Sequence, residues 1–441
     1  MYKLKHTKKN ILNKKQNNKK QSNKKETNKK QNNKKQNNKT QNNKKQSNKK
    51  QSNKNKLLNG GVFLGEGSFG CVITPAIPCT NNILNIRKQN FSKSVSKILI
   101  DPSEDDKDEI IISNKLKSID PQQYHFITFE SSCYLKKLPN ERSNTASVEY
   151  DNDTLSSYDI LDNKKYDKKY CPIDLRLKPI NLIMPYGGYD LLHISKNKCS
   201  KKNLIHFTLT KTMLSKNFKS CLQNIITGLF KMHNNRIVNR DIKSENMMVN
   251  YDETTKRLDL RFIDFGLSTM IPSYYKRKEN INYRGTEGCI SPELIITYYI
   301  LNGETYEKTM ENINKYIKNV LSSFKKYELI EEFKLLEKFN SDMKELYLKI
   351  EREISNNTVY DKYFGIDTMQ NLGKFNGYLQ KGDVYALGIT ICDFLKTYNN
   401  NNKPVIKYDK SLHELLINMI QPNPEKRFNI IQCLKHPYFT K

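Results

Sequence analysis

The stretch Asn239-Arg240-Asp241-Ile242-Lys243-Ser244-Glu245-Asn246 decides the fold, together with Asp264-Phe265-Gly266 a short distance further along the chain. Neither piece is specific alone, because an Asp near an Asn occurs in many polar loops. Together they place two aspartate carboxylates, one ammonium group and one carboxamide on two neighbouring loops. Such a set can hold Mg²⁺ on a nucleoside triphosphate while it orients a hydroxyl nucleophile.

A helix or strand is predicted immediately before each of the two loops in the sequence. Leu204–Met232 has apolar residues at helical spacing, which predicts a buried helical segment leading into the first loop. Arg261-Phe262-Ile263 predicts a strand leading into the second loop. Both loops are therefore expected to extend from rigid elements.

A glycine-rich turn lies near the start of the folded part. Gly65-Glu66-Gly67-Ser68-Phe69-Gly70 separates two short β-type runs, Val62–Leu64 and Cys71–Ile73. Dinucleotide-binding folds also use G-x-G-x-x-G, but there the last glycine opens a helix. The β-type residues after Gly70 favour a hairpin instead. Glycines in such a turn let the backbone lie close over phosphate groups.

These motifs resemble those of eukaryotic-type serine/threonine protein kinases, written H-R-D-L-x-x-x-N, D-F-G and G-x-G-x-x-G-x-V, the last matched through Val72. The resemblance implies an α+β, two-lobed fold with a small antiparallel sheet plus one helix and a larger, mainly helical lobe. It places the small lobe at residues 57–188 and the large lobe at 189–441. It also implies transfer of the ATP γ-phosphoryl group to Ser or Thr hydroxyls of protein substrates.

The resemblance also implies a role for each matched residue. Asp241 accepts or orients the substrate proton, and Lys243 faces the γ-phosphate. Asn246 and Asp264 ligate Mg²⁺. Arg240 pairs with an added phosphate in kinases that are switched by phosphorylation. The implied ATP contacts are Gly65, Glu66, Gly67, Ser68, Phe69, Gly70, Val72, Lys97, Glu109, Met184, Tyr186 and Asp190.

Lys97 lies within the apolar run Val95–Ile100, where a lysine is costly unless its ammonium group has a partner. In the family such a lysine contacts the α- and β-phosphates and pairs with a helix Glu. Glu109, in the predicted helix Asp108–Leu116, is assigned as that partner, and Lys93 remains an alternative to Lys97. Neighbouring acidic residues could serve instead of Glu109 or simply favour a helix N-terminus; they are Glu104, Asp105, Asp106 and Asp108.

Strands are predicted at Phe126–Phe129 and Asn181–Met184, and the segment after the second resembles the kinase hinge. Met184 would be the gatekeeper, and Asp190 would lie near the ribose. Pro185 replaces an acidic residue that is common in the family and offers no N–H.

Motifs toward the C-terminus also match. Thr286 corresponds to a threonine that contacts the catalytic Asp and Lys. Glu293 ends a variant of A-P-E, here S-P-E, and should form a buried pair with Arg427. Asp383 begins D-V-Y-A-L-G, with Tyr where the family has Trp, and should hold the backbone of the catalytic loop.

Several features depart from the family. Asn239 stands where kinases have His, which leaves a catalytically weak pseudokinase scaffold as an alternative. The loop Leu267–Arg284 contains hydroxyl and basic residues, so phosphorylation control and a solvated basic loop both remain open. An exposed insertion is predicted at 139–170 and a helical one at 298–375; the second either docks a partner or substrate or has no function. Together with the low-complexity residues 1–56, these features resemble those of the divergent kinases of large nucleocytoplasmic DNA viruses.

Residues 1–56 differ sharply from the rest of the chain. They carry +20 of the net +30 and consist largely of N-K-K-Q-[N/S] repeats. Such a composition predicts disorder. The tail could bind polyanions, without specificity because base-stacking aromatics are lacking, or could be a solvated repeat expansion. A nucleic-acid tether is therefore a third functional hypothesis.

The nine cysteines are scattered, without zinc-type spacing. Their odd number, without a signal peptide, predicts free thiols and an intracellular, cytoplasmic location: host cytoplasm or the virion if the protein is viral. No apolar run approaches the ~18 residues of a membrane span, so no membrane partner is expected. The sequence does not indicate the oligomeric state.

Overall fold

A computed structural model describes residues 62–67, 70–77, 79, 94–100, 102, 104–135, 145–146, 173–199, 203–271, 285–286, 288–324, 331–356 and 377–440. The predictions for the tail 1–56, for most of 139–170 and for most of the loop 267–284 concern residues outside these ranges, as does Lys93.

A five-stranded antiparallel sheet holds the glycine-rich turn and Lys97. Its strand order is β1-β2-β3-β7-β4. These strands are β1 (Val62–Gly67), β2 (Gly70–Thr74), β3 (Ser94–Leu99), β4 (Ser131–Tyr134) and β7 (Ile180–Pro185). Helix α1 (Glu104–Ile119) follows β3 and buries Ile112 and Leu116. The strands predicted around Val62, Cys71, Lys97 and Asn181 are present.

Seven further strands lie outside the five-stranded sheet in the described part of the chain. They are β5 (Thr145–Ala146), β6 (Ile173–Asp174), β8 (Tyr189–Asp190), β9 (Ile237–Val238), β10 (Met247–Asp252), β11 (Arg257–Phe262) and β12 (Thr269–Met270). β5, within the predicted polar insertion 139–170, pairs with β6, which follows the insertion. β11, β10 and β8 form a three-stranded sheet.

The remaining described elements are helical. They are α2 (Leu191–Ser195), α3 (Leu204–Lys216), α4 (Phe218–Asn234), α5 (Pro292–Leu301), α6 (Tyr306–Phe324), α7 (Glu331–Ser355), α8 (Tyr378–Asn401), α9 (Lys410–Met419), α10 (Ile430–Leu434) and α11 (Pro437–Thr440). The helical segment predicted at Leu204–Met232 is two helices that meet at Asn217. Among the described residues, no helix is long and apolar enough to cross a bilayer.

The amphipathic helix α4 forms the centre of the large core. Its apolar side chains, including Leu222, Ile225 and Leu229, are fully buried together with Leu387 and Ile391 of α8. The loop after α4 therefore starts from a rigid element, as the helical spacing predicted. Asp383 lies in the second turn of α8 instead of at the helix start, because the helix begins at Tyr378.

The strand predicted at Phe126–Phe129 is wrong. Its apolar character reflects burial of the Phe126 ring against Phe262 and Phe265. The backbone N–H groups of His125 and Phe126 donate to the Asp120 carboxylate. The segment meets β11 at an isolated bridge between Phe126 and Phe262, where Ile127 N donates to Phe262 O and Phe262 N donates to His125 O, both at 2.9 Å. The sheet strand β4 begins only at Ser131.

The prediction of free thiols is also wrong in the small lobe. Cys79 and Cys133 form a disulfide with a Cα–Cα distance of 5.8 Å. It joins the segment after β2 to β4, residues that are 54 positions apart in sequence. Cys71 is disulfide-bonded as well. The cysteines of the described part that form no disulfide are Cys199, Cys221, Cys289, Cys392 and Cys433.

Candidate active site

Two strand pairings bring together the loops 239–246 and 264–266, which the motifs predict to be the catalytic and metal-binding loops. β9 pairs with β12, so Val238 lies opposite Thr269. In the hairpin β10–β11, Met247 lies opposite Phe262, and Ile263 N donates to Asn246 O at 3.0 Å. Asn246 and Asp264 consequently flank the open end of one hairpin.

The Asp241 carboxylate receives hydrogen bonds from three residues. Thr286 Oγ1 donates to Oδ1 at 2.5 Å. Lys243 Nζ lies 3.0 Å from Oδ2, and Asn246 Nδ2 donates to the same oxygen at 2.8 Å. Lys243 Nζ also donates to Thr286 Oγ1 at 3.1 Å. The structure therefore brings together all four residues that the motifs had placed here, although Thr286 lies 45 residues from Asp241 in sequence.

Lys97 connects the small lobe to the metal-binding loop. Its Nζ lies 2.6 Å from Glu109 Oε1 and 2.8 Å from Asp264 Oδ1. Burial opposes the charge of the lysine, but attraction by Asp264 and Glu109 outweighs it and raises the pKa of Lys97. Burial likewise acts to raise the pKa of Asp264, but Lys97 lowers it below its ordinary value. Both groups are charged at neutral pH.

Asn246 and Asp264 offer oxygen atoms that fit a hard divalent cation. The contacts of Asp264 with Lys97 and Gly266 N both use Oδ1, which leaves Oδ2 available. Asn246 uses Nδ2 to bind Asp241, which leaves its amide oxygen as an acceptor. Within the described ranges no cluster of three His, Cys, Asp or Glu side chains could hold a metal. Two protein oxygens with phosphates and water suit Mg²⁺, which gives up its water reluctantly.

Asp383 fixes the backbone of the catalytic loop. Its carboxylate accepts from Asn239 N at 2.7 Å and from Arg240 N at 2.8 Å. His233 Nε2 contacts the same carboxylate at 3.0 Å and is fully buried. Sequence reasoning did not single out His233. Its position could have indicated a structural role, because it is a polar residue at the end of the apolar helix α4, just before the loop.

The Asn239 side chain orients the loop from within. Its Oδ1 accepts from Asp241 N at 3.0 Å, and its backbone carbonyl accepts from Ser268 Oγ at 3.2 Å. Nδ2 is buried without a hydrogen-bond partner among the described residues. Asn239 therefore supplies one hydrogen bond next to the Asp241 carboxylate.

Glu293 and Arg427 form a fully buried bidentate pair. Arg427 Nη1 and Nη2 donate to the two Glu293 carboxylate oxygens at 2.6 Å and 2.9 Å. Ser291 Oγ donates to Glu293 Oε1 at 2.8 Å. The pair ties the start of α5, directly after the Thr286 segment, to the loop before α10.

The glycine-rich turn lies between β1 and β2, as a hairpin requires. Gly67 is opposite Gly70, and Val72 of β2 is opposite Lys97 of β3. A Cβ at Gly70 would lie 1.8 Å from Ile98 O, so strand packing requires this glycine. Gly65 and Glu66 are part of β1. Ser68 and Phe69, at the tip, lie outside the described residues.

The hinge residues follow β7. Met184 is opposite Val95 and packs against the small-lobe core, and the Tyr186 side chain is exposed. Asp190 caps α2: Oδ1 accepts from His193 N at 2.7 Å, and Oδ2 lies 2.5 Å from His193 Nδ1. Both carboxylate oxygens of Asp190 are therefore engaged within the chain.

Residues 180–439, more than half of the chain, match the protein kinase domain family. The chain belongs to this family, and the predicted two-lobed α+β fold is confirmed. Members of the family use ATP and a divalent metal ion. The match begins at β7, so Lys97 and Glu109 lie ahead of it and are placed by the structure alone.

The chain is similar to curated kinases over short spans. A probable serine/threonine-protein kinase PLK of Dictyostelium discoideum is 23% identical over 251 residues, which is 56% of this chain and 19% of the relative. The liver/testis phosphorylase b kinase gamma catalytic chain of Bos taurus is 28% identical over 117 residues, 26% of this chain and 27% of the relative. A probable cyclin-dependent kinase 9 of Caenorhabditis elegans is 24% identical over 160 residues, 30% of each. The chain spans less than a third of the length of these relatives.

Proposed function

We propose that the protein is an active serine/threonine protein kinase that uses Mg²⁺ and ATP. The observation that carries the proposal is the Asp241 carboxylate held at once by Lys243, Asn246 and Thr286. A carboxylate oriented in this way can accept the proton of an incoming Ser or Thr hydroxyl while that oxygen attacks the γ-phosphorus.

The other contacts support the same proposal. The Lys97–Glu109 pair, with the Asp264 carboxylate beside it, supports the proposal, because kinases use such a pair and a metal-binding Asp in phosphoryl transfer. Lys97 would hold the α- and β-phosphates, and Lys243 would offset negative charge at the γ-phosphate. Asn246 and Asp264 would hold Mg²⁺, which offsets charge on the phosphates when bound. These contacts favour catalysis over a pseudokinase scaffold.

The test is Mg²⁺-dependent transfer of labelled γ-phosphate from ATP to a generic basic protein substrate, followed by identification of the modified residues. We expect Asp264→Asn to lower the rate by roughly 10²- to 10³-fold, because the proposed Mg²⁺ site loses a charged ligand that would help to stabilise the transition state. Glu253→Gln makes the same chemical change at an exposed turn and should leave the rate unchanged. Equal rates in wild type and Asp264→Asn would refute the proposal, and label on Tyr alone would refute the Ser/Thr specificity.

Protein substrates follow from this activity. The intracellular site of action expected from the sequence is a further part of the proposal. So is a kinship with kinases of large nucleocytoplasmic DNA viruses, which the insertions and the Lys- and Asn-rich tail support. Fractionation of the cells that produce the protein, with an antibody to the chain, would test the location.

A further inference from the structure

The segment that carries Thr286 contacts the catalytic loop through the Thr286 side chain. Thr286 binds Asp241, and Cys289 N donates back to Thr286 O at 3.0 Å. Gly285 adopts a φ of +135°, and a Cβ there would lie 2.8 Å from Arg240 O and 3.1 Å from Ile290 Cγ1. Ile290 therefore packs directly behind the residue that precedes Thr286.

Ile290 is in turn held by the helical insertion. Tyr316 of α6 donates its hydroxyl to Ile290 O at 2.5 Å. The buried Ile290 side chain belongs to an apolar cluster to which α6 contributes Ile313 and α7 contributes Met343, Leu346, Tyr347 and Ile350. The insertion thus packs against the Thr286 segment with both a directional hydrogen bond and an apolar surface.

The same tyrosine is linked to the core helix α8. Burial raises the pKa of the Tyr385 phenol, and hydrogen bonding by the neighbouring Tyr316 side chain acts in the opposite direction. Tyr385 occupies the position where the family motif has Trp, and the Arg427 guanidinium lies 4.9 Å from its ring centroid. A Trp offers only an N–H donor, whereas a phenol can also accept. Tyr385 therefore suits a hydroxyl partner supplied by the insertion.

The insertion is also fixed at its far side. Tyr378 of α8 donates its hydroxyl to Glu353 of α7 at 2.8 Å, in a buried contact. Lys426 Nζ lies 3.0 Å from Asp342 Oδ1, next to Arg427. Helix α7 is thereby connected both to the helix that carries Asp383 and to the loop that carries Arg427.

We propose that the insertion is an internal positioning element for the active site: Tyr316, held by Tyr385, fixes Ile290 and so keeps Thr286 against Asp241 and Lys243. The proposal rests on the proposed kinase function and concerns how that site is held in its active geometry. Tyr316 is a positioning residue, since it acts through the backbone of Ile290. The contacts that would hold the Thr286 segment in place thus come from the insertion of the same chain.

The test compares Tyr316→Phe with wild type in the full chain, because this substitution removes the hydroxyl and keeps the ring. We expect kcat for protein phosphorylation to fall about threefold to tenfold, the effect of one lost hydrogen bond. The dissociation constant for ATP should not change, because the nucleotide contacts lie elsewhere. Amide hydrogen exchange in the peptide 285–293 should become faster.

Tyr299→Phe is the matched control, since Tyr299 packs against the same apolar cluster from α5. It should leave kcat and exchange unchanged. Tyr385→Phe should reproduce the loss, and the double variant Tyr316→Phe/Tyr385→Phe should lose little more than either single variant. A kcat of Tyr316→Phe within twofold of wild type, or additive losses in the double variant, would overturn the proposal.

Two further outcomes are separated by the same measurements. If wild type has no activity, the proposed function fails, while unchanged exchange at 285–293 in Tyr316→Phe would overturn the positioning role independently. If Tyr316→Phe loses activity only in proportion to its unfolded fraction at the assay temperature, its role is general stability and the proposal is wrong.

Discussion

Asn239 is the residue at which this chain departs most clearly from its family within the catalytic loop. The structure shows that its amide oxygen accepts from Asp241 N, next to the reactive carboxylate. Its backbone N–H is meanwhile held by Asp383. The amide thus supplies one orienting contact without the ring that a histidine would provide.

Replacing Asn239 by Ala should lower kcat by roughly tenfold, because a buried N–H of Asp241 loses its acceptor and the carboxylate loses part of its orientation. Affinity for ATP should stay the same. Steady-state kinetics and a binding isotherm measure the two quantities. Asn418→Ala, which removes a side chain that donates to Glu414 O near the end of α9, is the control. A fall in ATP affinity without a fall in kcat would contradict this role.

Single residues of the site were predictable wherever a motif fixes both residue type and spacing. Asp241, Asn246 and Asp264 were found in this way, because their chemistry allows few alternatives. The partner of Lys97 was harder to choose, because five acidic residues lie in the first turns of α1. Which of them faces Lys97 depends on how the helix is rotated about its axis. In the structure it is Glu109. The capping of α2 by Asp190, whose carboxylate accepts from His193, has no such signature.

At the scale of elements, tertiary burial explains where the sequence misled. Phe126–Phe129 is apolar because it lies between the sheet and the helical core, and residues in that position resemble a strand by composition alone. The helices α6 and α7 were foreseen from their periodicity. Their contact with the Thr286 segment was not, because periodicity identifies a buried face but not the surface that covers it.

The Glu293–Arg427 pair joins α5 to the end of the chain and should matter for stability more than for chemistry. Glu293→Gln leaves a buried guanidinium without its counter-charge and should cost about 3–5 kcal/mol of unfolding free energy. Urea denaturation followed by circular dichroism measures the change. Glu425→Gln is the control, since its ion pair with Lys349 is exposed and should contribute less than about 1 kcal/mol. Equal effects of the two variants would contradict the burial argument.

At the scale of the whole molecule, most of the net charge lies in the basic tail 1–56, whereas the candidate catalytic residues lie in the folded part. Deleting residues 1–56 removes +20 of the +30 net charge. Binding to heparin or single-stranded DNA should weaken and lose most of its salt dependence, as measured by fluorescence anisotropy at several salt concentrations. The kcat for a short uncharged peptide should not change.

A second comparison, of biological activity, tests the hypothesis that the protein is a nucleic-acid tether. If tail deletion abolishes the biological activity of the protein while Asp241→Asn does not, the basic tail would be the working part. The composition of the tail was evident from the sequence, but composition alone does not distinguish a binding segment from a repeat expansion.

The Cys79–Cys133 bond has a consequence for anyone who prepares this protein. Chains made with and without reductant are different covalent species, which differ by two hydrogen atoms for each bond. Alkylation before any reduction would leave both sulfurs unlabelled in the oxidised chain and would label both in the reduced one, so intact mass separates the two populations. A kinetic constant for this kinase is therefore defined only together with the thiol count of the sample.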